Sequence, residues 1–203
     1  MMLSSVLQAI GLFVATNIDD IIVISLFFAR GAGQRGTTVK ITAGQYLGFA
    51  GILAVAVLIA LGAGAFLPVS AIPYFGLVPL LLGLRAAWSA WRGRDDDDDD
   101  DDNAGAGSGS RIGVLGVAGV TFANGGDNIG VYVPVFVSIS GQAMIAYCVV
   151  FLILVGALVF VARFVATRRR VAEILARWES VLLPLVLIGL GVVILVSGGA
   201  FGL

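Results

Sequence analysis

Six long apolar stretches leave this chain few ways to fold. They lie near Ser5–Ala29, Ile41–Leu67, Ile72–Trp91, Ile112–Ser138, Ala143–Ala166 and Val181–Phe201. A hydrocarbon core about 30 Å thick takes about 20 helical residues to cross, and each stretch is about that long. Backbone amides in lipid must find partners inside their own structure, so helices are the default for such segments. Only 12% of the residues are charged, about half the 25% typical of a soluble domain. The fold class expected is an all-α membrane protein with six transmembrane helices.

The basic residues set an orientation. Arg30, Arg35 and Lys40 flank the first connection; Arg85, Arg92, Arg94 and Arg111 flank the third. Arg163, Arg168, Arg169, Arg170 and Arg177 flank the fifth, and the second and fourth connections have none. The positive-inside rule puts connections one, three and five in the cytoplasm and both termini outside it. The first stretch lacks a basic leader and a small-residue cleavage site, so it reads as retained.

Three spans, a linker and three spans make the second half insert upside down relative to the first, giving two inverted three-helix repeats. The boundaries are residues 1–92 for the first repeat, 93–111 for an acidic cytoplasmic linker and 112–203 for the second repeat. The linker holds eight consecutive aspartates, Asp95–Asp102, and then a Gly/Ser-rich tail. Its composition reads as a solvated tether. The long, Gly-rich second span is expected to tilt or break. The fourth is expected to be irregular near Gly125-Gly126, with Pro134 one to two turns on. Gly44, Gly48, Gly113, Gly116, Gly119, Gly189 and Gly191 read as close helix packing.

Within the apolar stretches the only acidic side chains are Asp19, Asp20 and Asp127. A charge at bilayer depth costs about 2.5–3.5 kcal/mol on insertion scales, and such residues mark functional sites. The three sit in matching phrases, Ala15-Thr16-Asn17-Ile18-Asp19-Asp20-Ile21 and Ala123-Asn124-Gly125-Gly126-Asp127-Asn128-Ile129, aligned without gaps at a spacing of 108 residues. On a helix Thr16 lies one turn from Asp19 and Asp20, as Asn124 does from Asp127 and Asn128. If the two phrases meet, Thr16, Asn17, Asp19, Asp20, Asn124, Asp127 and Asn128 form one oxygen-rich metal site. Oxygen donors suit Mn²⁺, Mg²⁺ or Ca²⁺ better than a thiophile. Asp20, whose counterpart is Asn128, is the expected proton-carrying member.

The remaining candidates read as supporting residues. Gln45, Tyr46 and Gln142 suit interhelical hydrogen bonding. Trp88, Trp91 and Trp178 suit interfacial anchoring, and Glu179 suits a helix start. Cys148 is the single cysteine and reads as a packing residue. Its solitude excludes thiol-pair redox chemistry.

The reading is a secondary transporter and not an enzyme, with proton antiport as the driving exchange. The chain carries no phosphate-binding Gly-Lys-Ser/Thr loop for an ATPase. An exporter of a cationic amino acid is the alternative, weakened by the lack of a mid-membrane cation for the α-carboxylate. An intramembrane aspartyl protease is less favoured, because Asn124 stands where the Gly-x-Gly-Asp phrase of such enzymes begins and Asp19-Asp20 adds a surplus charge. No cofactor is expected. The expected partners are the metal ion as substrate, the lipid bilayer and, left open, a second copy in a homodimer; nucleic acid is not among them.

The phrases Ala15–Ile21 and Thr121–Tyr132, with Gly44-Gln45-Tyr46-Leu47-Gly48-Phe49, resemble the cadmium-resistance transporter family of the lysine-exporter superfamily. The resemblance covers most of the chain outside the linker. It implies a multi-pass exporter of divalent or other cations in the bacterial inner membrane, built from a repeated three-helix unit, with cadmium or a similar ion as cargo. The aspartate run is not part of the resemblance.

Overall fold

The computed structural model describes residues 2–32, 34–92, 112–167 and 169–200, and all regular structure among them is helical. The linker, with Asp95–Asp102, lies outside the described residues, as do the side chains of Trp178 and Glu179. Helix α1 (Met2–Thr16) is followed directly by α2 (Ile18–Arg30), and α3 (Thr37–Phe66) comes next. A 3-10 segment, Val69–Gly76, leads into α4 (Leu77–Arg92). The second half repeats the order as α5 (Val114–Asn124), α6 (Gly126–Ser138), α7 (Gly141–Val165) and α8 (Arg169–Ser197).

Three helical stretches are long and apolar enough to cross a membrane: Thr37–Phe66, Ser70–Trp88 and Gly141–Val165. A fourth is counted if Ser5–Thr16 and Ile18–Arg30, bent by 57° at their junction, form one span.

The first stretch, expected as a continuous helix, is broken at Asn17, where φ is −129° and ψ 18°. The fourth breaks at Gly125, with φ −87° and ψ 17°, as its two glycines led us to expect. Asn17 and Gly125 are themselves 108 residues apart. These breaks remove the one-turn relation expected within each phrase, because Thr16 and Asn124 end one helix while the acids begin the next. By contrast α3 runs unbroken over 30 residues, so its glycines make no kink. Pro134 lies within α6 without ending it.

Packing follows a simple scheme. Helix α3 lies against α5 and α6, α7 lies against α1 and α2, and α4 lies against α8. Exchanging residues n and n+108 converts the first two pairings into one another and leaves the third unchanged. Glycine contacts obey the same exchange. A Cβ on Gly83 would meet Ile188 Cγ1 at 2.8 Å, and one on Gly191 would meet Leu80 Cβ at 2.6 Å. Gly83 and Gly191 are 108 residues apart, and so are Leu80 and Ile188.

The packing role expected for glycine holds at Gly44 and Gly48, where a Cβ would come within 2.7 Å of α5 backbone oxygens. It holds at Gly191 as well. It fails at Gly113, Gly116, Gly119 and Gly189, which have nothing within 4 Å of that position. The core between the halves is aromatic. Phe13, Phe49, Tyr132 and Phe151, from α1, α3, α6 and α7, have ring centroids 4.9–6.4 Å apart. Offset and tilted ring contacts of this kind add to the apolar burial that holds the four helices together.

Candidate functional site

Each break leaves the carbonyl end of one helix facing the amide end of the next. Asp19 and Asp20 occupy the first turn of α2, and Asp127 occupies the first turn of α6. Carboxylates there face the positive end of a helix dipole, which offsets part of the cost of holding them at this depth. Each helix start therefore supports the acids that the sequence places beside it.

The first break is closed by side chains. Asn17, 1% exposed, makes no capping bond to α2. Its amide turns back, donating to the Phe13 carbonyl at 2.8 Å and toward the Thr16 hydroxyl at 2.8 Å. It also reaches the Tyr132 hydroxyl of α6 at 3.0 Å. Thr16 donates to the Leu12 carbonyl at 3.0 Å, so the Tyr132 proton is directed at Thr16 Oγ1, also 3.0 Å away.

The two phrases do meet. Asn124 donates its side-chain amide to Asp20 Oδ1 at 2.7 Å and to Asp19 Oδ2 at 3.1 Å. One residue of the second phrase thus bridges both acids of the first. Asp20 is buried at 2% exposure, and its Oδ2 has no hydrogen-bond partner. Asn17 Oδ1 is likewise buried and unpartnered. A buried polar oxygen without a partner costs about 1–3 kcal/mol, and two at one helix break fit a site that takes a cation.

The second break is furnished differently. Gly125 is buried against α3, and a Cβ there would overlap Ile52 Cδ1. Asp127 is exposed, and its Oδ1 accepts from the Asn128 backbone amide at 2.8 Å. Its charge lies within coulombic range of Asp20. The Asn128 side chain is buried. Among the described residues no three His, Cys, Asp or Glu side chains are grouped closely enough to hold one ion by themselves.

Tyr132 is a member of this network to which sequence reasoning assigned no role. A fully buried tyrosine needs a partner for its hydroxyl, and that requirement is the signal that marks it. Gln45 accepts from Thr121 at 2.6 Å, as its interhelical role required, and its Nε2 is buried without a partner. Trp88 and Trp91 are exposed, with ring centroids 5.6 Å apart near the end of α4. Cys148 is half-buried and packs against the core.

A family model described as "Cadmium resistance transporter" matches residues 13–203. Neither the curated proteins nor the solved structures compared with the chain gave a match.

Proposed function

The chain belongs to the cadmium resistance transporter family, and on that premise we propose that it exports a divalent cation, cadmium or a similar ion, in exchange for protons. The observation that carries the reading is the pair of buried, unpartnered oxygens, Asn17 Oδ1 and Asp20 Oδ2, at a break inside an apolar bundle. Asp19 and Asp20 supply the two charges that balance a divalent ion, and Asn17 supplies a neutral oxygen. Thr16, Asn124 and Asn128 complete the polar lining, and exposed Asp127 receives the ion on its way to or from the buried pair. An all-oxygen set favours hard ions such as Mn²⁺ over thiophilic ones, so cadmium would be held less tightly here than at a thiolate.

The transport architecture in this reading has six spans. Helices α1 and α2 together form the first and α5 and α6 the fourth, while the 3-10 segment with α4, and α8, supply the third and sixth. The shared register of the two breaks and the exchangeable packing support two inverted three-helix repeats, with the cation path at their broken helices. The alternating basic connections support an inner-membrane protein with both termini outside the cytoplasm.

Exchange follows from shared ligands. Protons and the cation compete for the same carboxylate oxygens, so binding one releases the other. The sign is fixed: cation affinity rises with pH, because the competing ligand is removed. Titrating purified protein with Cd²⁺ and Mn²⁺ in weak buffer should release protons, and Asp20→Asn should flatten the dependence of affinity on pH. Binding without proton release would remove antiport from the proposal. Transport into vesicles that is indifferent to both cations would remove the cargo.

A further inference from the structure

Asn17 needs an external reference. Its bonds to Phe13 and Thr16 are made within the end of α1, and they move with that end as a unit. The Tyr132 hydroxyl is the partner that comes from the other half of the molecule, 115 residues away. Tyr132 sits on α6, the helix whose first turn carries Asp127. Its ring is fully buried between Phe49 and Phe151, with centroids 6.4 and 4.9 Å away. The hydroxyl is thus carried on a side chain with little freedom of its own.

We infer that Tyr132 is a positioning residue for the cation: it ties the Asn17 amide nitrogen to α6, so that the unpartnered carbonyl oxygen of Asn17 is held in place for an ion at the first break. Tyr132 gives its proton to Thr16 and accepts one from Asn17, which forces the Asn17 amide nitrogen toward α6 and its carbonyl oxygen to the opposite side. A reversed amide would set two acceptors against each other at the Phe13 carbonyl, 2.8 Å away. Tyr132 itself does not touch the ion. Its effect is exerted through Asn17, in the way hydrogen-bonded partners orient the ligands of metal sites generally.

This inference rests on the cation site proposed above, and its test separates the two. The full chain, purified in detergent, is titrated with Mn²⁺ and with Cd²⁺ as wild type, Tyr132→Phe, Asn17→Ala and the double variant. Tyr132→Phe keeps the ring and its packing, and it should weaken binding about 10–100-fold, the usual cost of losing a residue that orients a metal ligand. Because the tyrosine acts through Asn17, the double variant should bind no more weakly than Asn17→Ala alone. Losses that multiply would overturn the inference, since a merely structural tyrosine acts independently of Asn17. Thr16→Val removes the acceptor of the tyrosine's proton and should weaken binding in the same direction. An unchanged Kd in Tyr132→Phe would also overturn it. The Asp19→Asn/Asp20→Asn variant is the control. Binding that survives it overturns the site itself, whereas binding that needs those acids but not Tyr132 overturns only the positioning role.

Discussion

The two helix breaks stand at the same register, with ψ 18° at Asn17 and 17° at Gly125, yet they are held open by opposite means. At Asn17 a side chain does the work: the amide gathers Phe13, Thr16 and Tyr132 and leaves an oxygen to spare. At Gly125 the absence of a side chain does it, because Ile52 of α3 fills the space a Cβ would need. The acids differ to match. Asp20 is buried and bridged through Asn124 to Asp19, whereas Asp127 is exposed and bonded to its own helix amide. Two breaks at one register thus carry different surroundings: the acid beside the first is buried and the acid beside the second is exposed. Symmetry of the scaffold does not require symmetry of the chemistry on it.

Removing the acids separates the two roles most sharply. Asp19→Asn/Asp20→Asn should weaken Cd²⁺ and Mn²⁺ binding more than 100-fold, beyond the roughly 10–100-fold loss expected for a supporting residue. Asp127→Asn should stay within about tenfold, at the low end of that range. Isothermal titration of the two proteins measures both, and equal losses would break the distinction between a buried holding break and an exposed receiving one.

The glycines one helix away test whether the halves are also packed unequally. Gly48 and Gly156 are 108 residues apart. A Cβ on Gly48 would press on the Ala118 carbonyl at 2.6 Å, but one on Gly156 would meet only the Tyr46 hydroxyl at 2.9 Å. Backbone cannot yield as a tyrosine tip can. Gly48→Ala should cost about 1–3 kcal/mol, the usual cost of overpacking, and Gly156→Ala about 0.5 kcal/mol or less, as at tolerant positions. Thermal unfolding in detergent compares them. A Gly156 variant as unstable as the Gly48 variant would show the two interfaces to be equally tight.

The smallest effect is expected where the halves are joined. Deleting Asp95–Asp102 should change transport by less than about twofold at physiological salt, where charge attraction is screened beyond about 8 Å. The same deletion at low salt should show a modestly weaker apparent affinity from the cytoplasmic side. Vesicle uptake at two ionic strengths reads this directly. Complete loss of transport in an inserted, folded deletion variant would make the linker a third functional region and end the two-break account.

Much of this was legible in the residues themselves. Apolar length gave helices at the right places, since α3 and α7 match their expected stretches within a few residues. The 108-residue spacing brought Asn124 to Asp19 and Asp20, and the Gly125-Gly126 pair foretold the second break. Asn17 foretold nothing, because an asparagine in an apolar run reads as one more polar ligand until its amide is seen bonded to the Phe13 carbonyl. The roles of individual glycines were equally hidden: Gly48 and Gly116 look alike in sequence, but only one has a neighbour.

What the sequence determined by itself is whatever depends on a segment and the medium around it. Twenty apolar residues must be helical in lipid, an acid among them must be accounted for, and a repeated phrase keeps its register wherever the chain goes. What only the tertiary structure decided is which groups meet across 100 residues or more. The Tyr132 hydroxyl on Asn17, the Asn124 amide on two carboxylates and Ile52 over Gly125 arise from how helices pack. Periodicity records that a face is buried without recording against what. The unpartnered oxygens of Asn17 and Asp20 belong to that second kind of fact, since an oxygen lacks a partner only once every neighbour has been placed.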